Sequence, residues 1–145
     1  MTKITDIERM FFLAEKQRDV WRENPKIQQL VDILLKNDGQ FVVLPRIEED
    51  LNALIKRGTF YGKPIKHIKG EPCHCHSNVS RLFEKDICQI VTGYAMPTDD
   101  PAWRQHTWGF DVNNHILYET TSNYKKYFGV LLSEKEARKF ARENW

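Results

Sequence analysis

The sequence lacks a charge of one sign, a long apolar run and a cysteine framework. Lysine and arginine total 22 against 20 aspartates and glutamates, a net charge of +2. That balance gives no electrostatic case for nucleic acid, which is not expected as a partner. No stretch approaches the roughly 18 apolar residues of a membrane helix, so no membrane partner is expected either. The opening MTKITDIERMFFLAEKQ turns charged before a secretory apolar stretch develops, and a cytoplasmic protein is expected. Three cysteines are few and odd in number, which argues against a secreted disulfide framework. Internal repeats and low-complexity segments are also missing.

What is present suits one ordinary globular domain. The 145 residues are 41% hydrophobic and 29% charged, neither disordered nor fibrous in composition. A single domain spanning 1–145 is expected, with a helical region over 1–70 and a core over 71–145. Thr5 to Glu8 has capping-box form, and Ile7, Met10, Phe11, Ala14, Val20 and Trp21 recur at roughly helical spacing. Asn24-Pro25 breaks that helix and opens another, with a stripe of Ile27, Leu30, Val31, Leu34 and Leu35 ended by Asn37-Asp38-Gly39. Phe41 to Leu44 reads as a short strand or a buried connection, and Arg46 to Lys56 as a third helix stopped at Gly58. Residues 58–72 carry Gly58, Gly62, Pro64, Gly70 and Pro72, the composition of an irregular linker. Its basic run from Lys56 to Lys69 reads as a solvated face.

From Cys73 the texture changes. Cys75 to Glu84 predicts a helix with Val79, Leu82 and Phe83 on one face, and Ile87 to Met96 a strand. Trp103 to Asp111 and Ile116 to Thr121 form a predicted hairpin about Asn113-Asn114. Tyr124 to Leu132 follows as another strand. Ser133 to Glu136 is a second capping box, opening a last helix with Ala137, Phe140 and Ala141 inward.

The chemistry lies in that block. A nucleophilic thiol needs a lowered pKa, which a helix N-terminus and a nearby imidazolium supply. Cys75 stands where its helix begins, on the same face as Val79. Strand alternation puts Arg104, His106, Trp108 and Phe110 on one face. A turn at Asn113-Asn114 sets Trp108 opposite Glu119; slipping it by one residue of turn on each strand sets His106 opposite Glu119. In both registers His106 and Glu119 share a face. The order is then helix-start cysteine, strand histidine, strand carboxylate, the logic of a thiol triad in which the carboxylate fixes the imidazole that activates the sulfur.

These residues resemble the transglutaminase-like branch of the papain-fold cysteine enzymes, with Cys75, then His106-Thr107-Trp108, then Glu119-Thr120-Thr121. More narrowly, Cys75-His76-Ser77-Asn78, Gly93-Tyr94, Trp103 to Trp108, Glu119-Thr120-Thr121 and Tyr127-Phe128-Gly129 are similar to a pattern of small bacterial and phage proteins. The resemblance covers residues 73–132 and implies an α+β, papain-like core: a catalytic helix packed on a small antiparallel sheet. It implies a cysteine peptidase, amidase or transglutaminase-like acyltransferase acting through Cys75, His106 and Glu119. A protein, peptide or other amide is the implied substrate, and no cofactor or metal is needed. Asn78, Tyr94, Trp103, Gln105 and Trp108 are the candidates for substrate binding; Gln105, His76 and Asn78 are candidates for the second oxyanion donor. Glu119 departs from the Asp more usual in transglutaminases. The doubled Cys73-His74-Cys75-His76 leaves Cys73 as an alternative nucleophile.

Other readings compete. Cys88 fits a core thiol, Cys73 an inert loop residue, His67 and His115 surface positions, and Trp103 and Trp108 core or cleft wall. Cys73-His74-Cys75-His76 invites zinc, but the pair is C-x-C and no second knuckle exists. A papain-like scaffold with a vestigial triad, occupying a host partner protein, is the alternative to an enzyme.

Overall fold

The computed structural model describes residues 24–43 and 51–144. Elements are named in chain order among these residues. The helix expected near the N-terminus, over 7–21, and the start of the third, 46–50, lie outside the described residues. Helix α1 spans Pro25–Asn37. Asn24 caps it, its side chain accepting from the Lys26 N–H at 3.1 Å, with Pro25 at the first position, where a missing N–H costs nothing. Ile27, Leu30, Val31 and Leu34 form its buried stripe, and Gly39 ends it at a φ of +83°. Strand β1 (Phe41–Val43) and helix α2 (Leu51–Arg57) follow.

The stretch read as an irregular linker holds two strands, β2 (Thr59–Tyr61) and β3 (Ile65–His67). Each has only three residues, too short for alternation to stand out among glycines and prolines. Then come α3 (Cys75–Glu84), β4 (Gln89–Pro97), β5 (Ala102–Asp111), β6 (Ile116–Glu119), β7 (Tyr124–Leu131) and α4 (Glu134–Glu143), all at or within two residues of the expected bounds. The capping box at α4 forms as read: the Ser133 hydroxyl accepts from the Glu136 N–H, and the Glu136 carboxylate accepts from the Ser133 N–H.

The fold is a mixed α+β arrangement of four helices, among the described residues, on a curled sheet of order β2-β7-β4-β5-β6-β3, with β1 added in parallel beside the start of β5. The curl follows from chain length. β2 and β3 lie at opposite ends of that order yet are joined by Gly62, Lys63 and Pro64 alone. Five strand spacings in a flat sheet would separate them by about 24 Å, whereas the four residue steps from Tyr61 to Ile65 reach at most about 14 Å. The sheet must bend round on itself.

Its outer face carries the helices. Leu30, Leu34, Leu54, Val79, Ile90, Trp103, Phe128 and Ala137 form the main core there. The inner face is a second cluster of Val91, Ala95, Trp108, Leu117 and Tyr127, with Tyr61, Ile65, Phe110 and Tyr124 packed against it. Tyr61 of edge strand β2 meets the Phe110 ring edge-on at 5.1 Å across the hollow. Gly129 makes room for this inner core: a β-carbon there would stand 2.7 Å from the Trp108 ring. No helix among the described residues is long and apolar enough to cross a membrane.

Candidate functional site

β5 is flanked on one side by β4 from Arg104 to Phe110. On its other side β1 pairs with residues 102–104 and β6 with 109–111. Residues 105–108 therefore face a gap in the sheet. Backbone groups of alternate residues turn to opposite neighbours. The Pro101 carbonyl accepts from Gln40 and Phe41 beside β1, so the odd-numbered residues of β5 turn toward this gap. The register would pair Thr107 with Thr120, but the chain has turned away: the Thr120 N–H donates to Glu119 Oε2, and its carbonyl accepts from Gly70. The gap is where the start of α3, on the outer face, meets the inner face.

Three residues meet there. The Cys75 sulfur lies within interacting reach of the His106 ring and the Thr107 N–H. His106, on the inner face, directs Nε2 to Glu119 Oε1 at 2.8 Å. With Nε2 so occupied, Nδ1 is the ring atom left for Cys75. The observed β5–β6 register pairs Gly109 with Tyr118 and Phe110 with Leu117, the first of the two registers weighed from sequence. Glu119 thus falls diagonally from His106 on the shared face.

Glu119 is 1% exposed, and five donors hold its charge. Oε2 accepts from the Thr120 N–H at 2.9 Å, the Thr121 N–H at 2.9 Å and the Thr121 hydroxyl at 3.1 Å. Oε1 accepts from the Tyr127 hydroxyl at 2.9 Å as well as from His106. Burial pushes the carboxyl pKa up, but the hydrogen bond and charge of His106, with the Thr121 N–H and Tyr127, more than reverse it, and the group is held below its ordinary value. Burial likewise disfavours the His106 imidazolium, yet bonds to Cys75 and Glu119 and their negative charges raise its pKa to about 9. Burial also works against the Cys75 thiolate; the His106 hydrogen bond and charge and the Thr107 N–H outweigh it, against some repulsion from Glu119, and the net shift is downward. The His106 ring is further fixed by stacking on Tyr124, centroids 4.2 Å apart, with Trp108 on the same inner face at 6.1 Å.

The candidates for substrate binding fare differently. Tyr94 and Trp103 are fully buried in the outer core, and the Trp103 indole donates to the Asp38 carbonyl. Trp108 is fully buried in the inner core. Their aromatic bulk serves packing, and none of the three offers a surface to a ligand. Asn78 is buried too, and its amide is committed. Its oxygen accepts from the Glu71 N–H, while its nitrogen donates to the Glu71 carbonyl and the Thr120 hydroxyl. It ties the start of α3 to the residue after Glu119 and has no capacity to spare for an oxyanion. Gln105 is half-buried, on the outer-face side of the gap. His76 turns Nδ1 to the Thr107 hydroxyl at 2.6 Å, which in turn meets the Thr92 hydroxyl at 3.2 Å. Cys73 is exposed in a left-handed turn at φ 62° before the helix, outside this network.

Sequence reasoning gave no role to Tyr124, Tyr127, Thr107 or Thr121. The alternation that places His106 and Glu119 on one face places Tyr127 there too, because Tyr127 pairs with Ala95 and Ala95 with Arg104. That signal needs the order of strands, which the sequence leaves open. Among the described residues no group of three or more histidine, cysteine, aspartate or glutamate side chains is gathered to hold a metal ion. No protein-family model, no curated protein and no solved structure matches this chain.

Proposed function

We propose that this protein is a thiol-dependent acyl-transfer enzyme of papain-like, transglutaminase-like build, acting in the cytoplasm on an amide, isopeptide or related acyl bond of a peptide or protein. One observation carries the reading: a helix-start thiol within interacting reach of an imidazole whose other nitrogen lies 2.8 Å from a buried, fully hydrogen-bonded carboxylate. A structural cysteine gains nothing from such an arrangement, whereas a nucleophile needs each part of it.

The chemistry runs as follows. The Cys75 thiolate attacks the acyl carbon; a C–S bond forms and the carbonyl electron pair moves to oxygen. The Cys75 N–H, at the first position of α3, has no intrahelical acceptor and stabilises that oxyanion together with the helix dipole. His106 Nδ1–H gives its proton to the leaving nitrogen as the C–N bond breaks, leaving a thioester. His106 then takes a proton from water or an incoming amine, whose attack releases acid or a new amide and restores the thiolate–imidazolium pair. Glu119 holds the ring in one orientation and stabilises its charge throughout.

The test is alkylation by iodoacetamide at Cys73, Cys75 and Cys88, followed by mass spectrometry across pH. The expected result is fast labelling of Cys75 alone below pH ~7, well under the ordinary thiol pKa of about 8.5, and its loss in His106→Ala. Uniform slow labelling that ignores His106→Ala would sink the enzyme reading and favour a vestigial site on a partner-binding module.

A further inference from the structure

Arg104 is not accounted for by the acyl-transfer chemistry. It lies two residues before His106 on β5, on the same inner face, opposite Ala95. Its cross-strand neighbours are Ala95 on β4, which is small, and Val43 on β1. Tyr124 lies between the two sites: it stacks on His106, and its hydroxyl stands within the fields of Glu119, Cys75 and Arg104 together. Among the described residues the guanidinium makes one ion pair, Nη2 to Asp100 Oδ2 at 2.6 Å. The other Asp100 oxygen accepts from the Ala102 N–H. Asp100 thus aims the side chain but uses one of its five donors. The Nε–H is buried with no hydrogen-bond partner among the described residues, while the side chain as a whole is 40% exposed. The Cys75 thiolate, His106 imidazolium and Glu119 carboxylate sum to one negative charge, and Arg104 lies two residues from His106 along the same face of β5.

Resting on the acyl-transfer reading, we infer that Arg104 anchors a carboxylate that the substrate carries within about one residue of the bond Cys75 attacks. The substrate class is then an N-acyl amino acid or peptide end with a free carboxylate near the scissile carbonyl, in preference to a neutral internal amide. A planar guanidinium with unused donors is the side chain suited to bind a carboxylate.

Iodoacetate and iodoacetamide test this, being near-isosteric alkylating agents that differ in carrying a carboxylate or a neutral amide beside the carbon attacked. The readout is the ratio of their rates at Cys75, so that attraction by the His106 imidazolium is common to every variant. Arg104→Gln is expected to lower the iodoacetate-to-iodoacetamide ratio about three- to fivefold, the range of a half-exposed ion contact, and Arg104→Lys less. Asp100→Asn keeps the acceptor for Ala102 but releases the guanidinium, and is expected to raise the ratio. Salt near 1 M, with a Debye length of about 3 Å, should shrink all these differences. Fast labelling with a ratio indifferent to Arg104 and Asp100 would overturn the anchor and leave the acyl-transfer reading intact. Slow labelling at the pace of an ordinary thiol, whatever the ratio, would overturn the acyl-transfer reading and the anchor with it, so that the rate reports on the one and the ratio on the other.

Discussion

Helix α3 has a cysteine beside each end, and the two are set to opposite chemistry. Cys75 begins the helix; Cys88 follows its C-terminus, at the mouth of β4. Burial pushes both thiols up. At Cys88 it prevails: the Phe110 N–H gives some relief, the Asp111 carboxylate adds repulsion, and the pKa is raised to about 12. At Cys75 the imidazolium of His106 and the Thr107 N–H overturn the same penalty. Burial therefore says little about whether a cysteine reacts; the sign of the nearest charge decides it. The helix adds to the contrast, because its positive end faces Cys75 and its negative end lies toward Cys88.

The largest expected effect tests that contrast directly. With 4-nitrophenyl acetate as an activated acyl donor, wild-type protein is expected to release a burst of about one nitrophenolate per chain as Cys75 acylates. Cys75→Ser should abolish the burst and lower the acylation rate by about 10⁴-fold, the scale of losing a member of such a triad. Cys88→Ser should leave both as they are. A burst that survives Cys75→Ser and disappears in Cys73→Ser would move the nucleophile out of the helix start.

The next effect comes from Glu119, the group that lets a positive ring stand beside Cys75. All five neighbours of its two oxygens are donors. Glu119→Gln must therefore point an amide N–H₂ at other donors while stranding the buried imidazolium. Breaking a buried pair of this kind costs about 3–5 kcal/mol, read as a loss in denaturant midpoint. The pH dependence has a definite sign. His106 is raised, so its contribution to stability is full below its ordinary value of about 6.5 and is lost as pH rises through about 9. Glu119 is lowered, so its contribution holds above its ordinary range and is lost as pH falls through its folded value. Cys75 is lowered, so its thiolate adds stability as pH rises toward the ordinary thiol range and opposes the His106 loss; in Cys75→Ser, where that opposing shift is absent, melting temperature against pH should fall on both flanks, and adding Glu119→Gln should flatten both. An alkaline flank that persists unchanged would show that His106 takes its proton affinity from elsewhere.

Much of this was legible in the sequence, for reasons that differ by element. Helices α1, α3 and α4 declare themselves through apolar stripes with Asn24, a helix-start cysteine and the Ser133–Glu136 box at their starts. The meeting of His106 with Glu119 follows from strand alternation and a two-residue turn. The strands β2 and β3 were hidden because three-residue edge strands take their structure from the neighbour they pair with. Tyr94, Trp103 and Trp108 were candidates for substrate binding through the resemblance, although Trp103 and Trp108 also fitted core or cleft wall. Alternation places Trp103 and Tyr94 on the outer face, under the helices, and the inner face that holds Trp108 is closed by the curl. The gap between β1 and β6 was beyond reach, since it depends on where two strands stop pairing with a third.

The smallest effect probes the Cys88 end, where the contrast predicts packing and no chemistry. Gly109 lies under the Cys88 sulfur, and a β-carbon there would clash with it and crowd the Tyr118 β-carbon at 3.3 Å. Gly109→Ala should cost about 1–3 kcal/mol by overpacking. Cys88→Ala should cost about 1 kcal/mol or somewhat more by leaving a void. Combined, the new methyl group occupies the space the sulfur leaves, so the double variant should be more stable than the sum of the single losses predicts, by about 0.5–3 kcal/mol of coupling. Alkylation of Cys75 should not change in any of the three. Additive losses would mean that the sulfur moves aside freely and that this end of α3 is packed more loosely than its buried thiol implies. A change at Cys75 would mean that the two ends of the helix are mechanically linked, and that the electrostatic partners alone do not account for their difference.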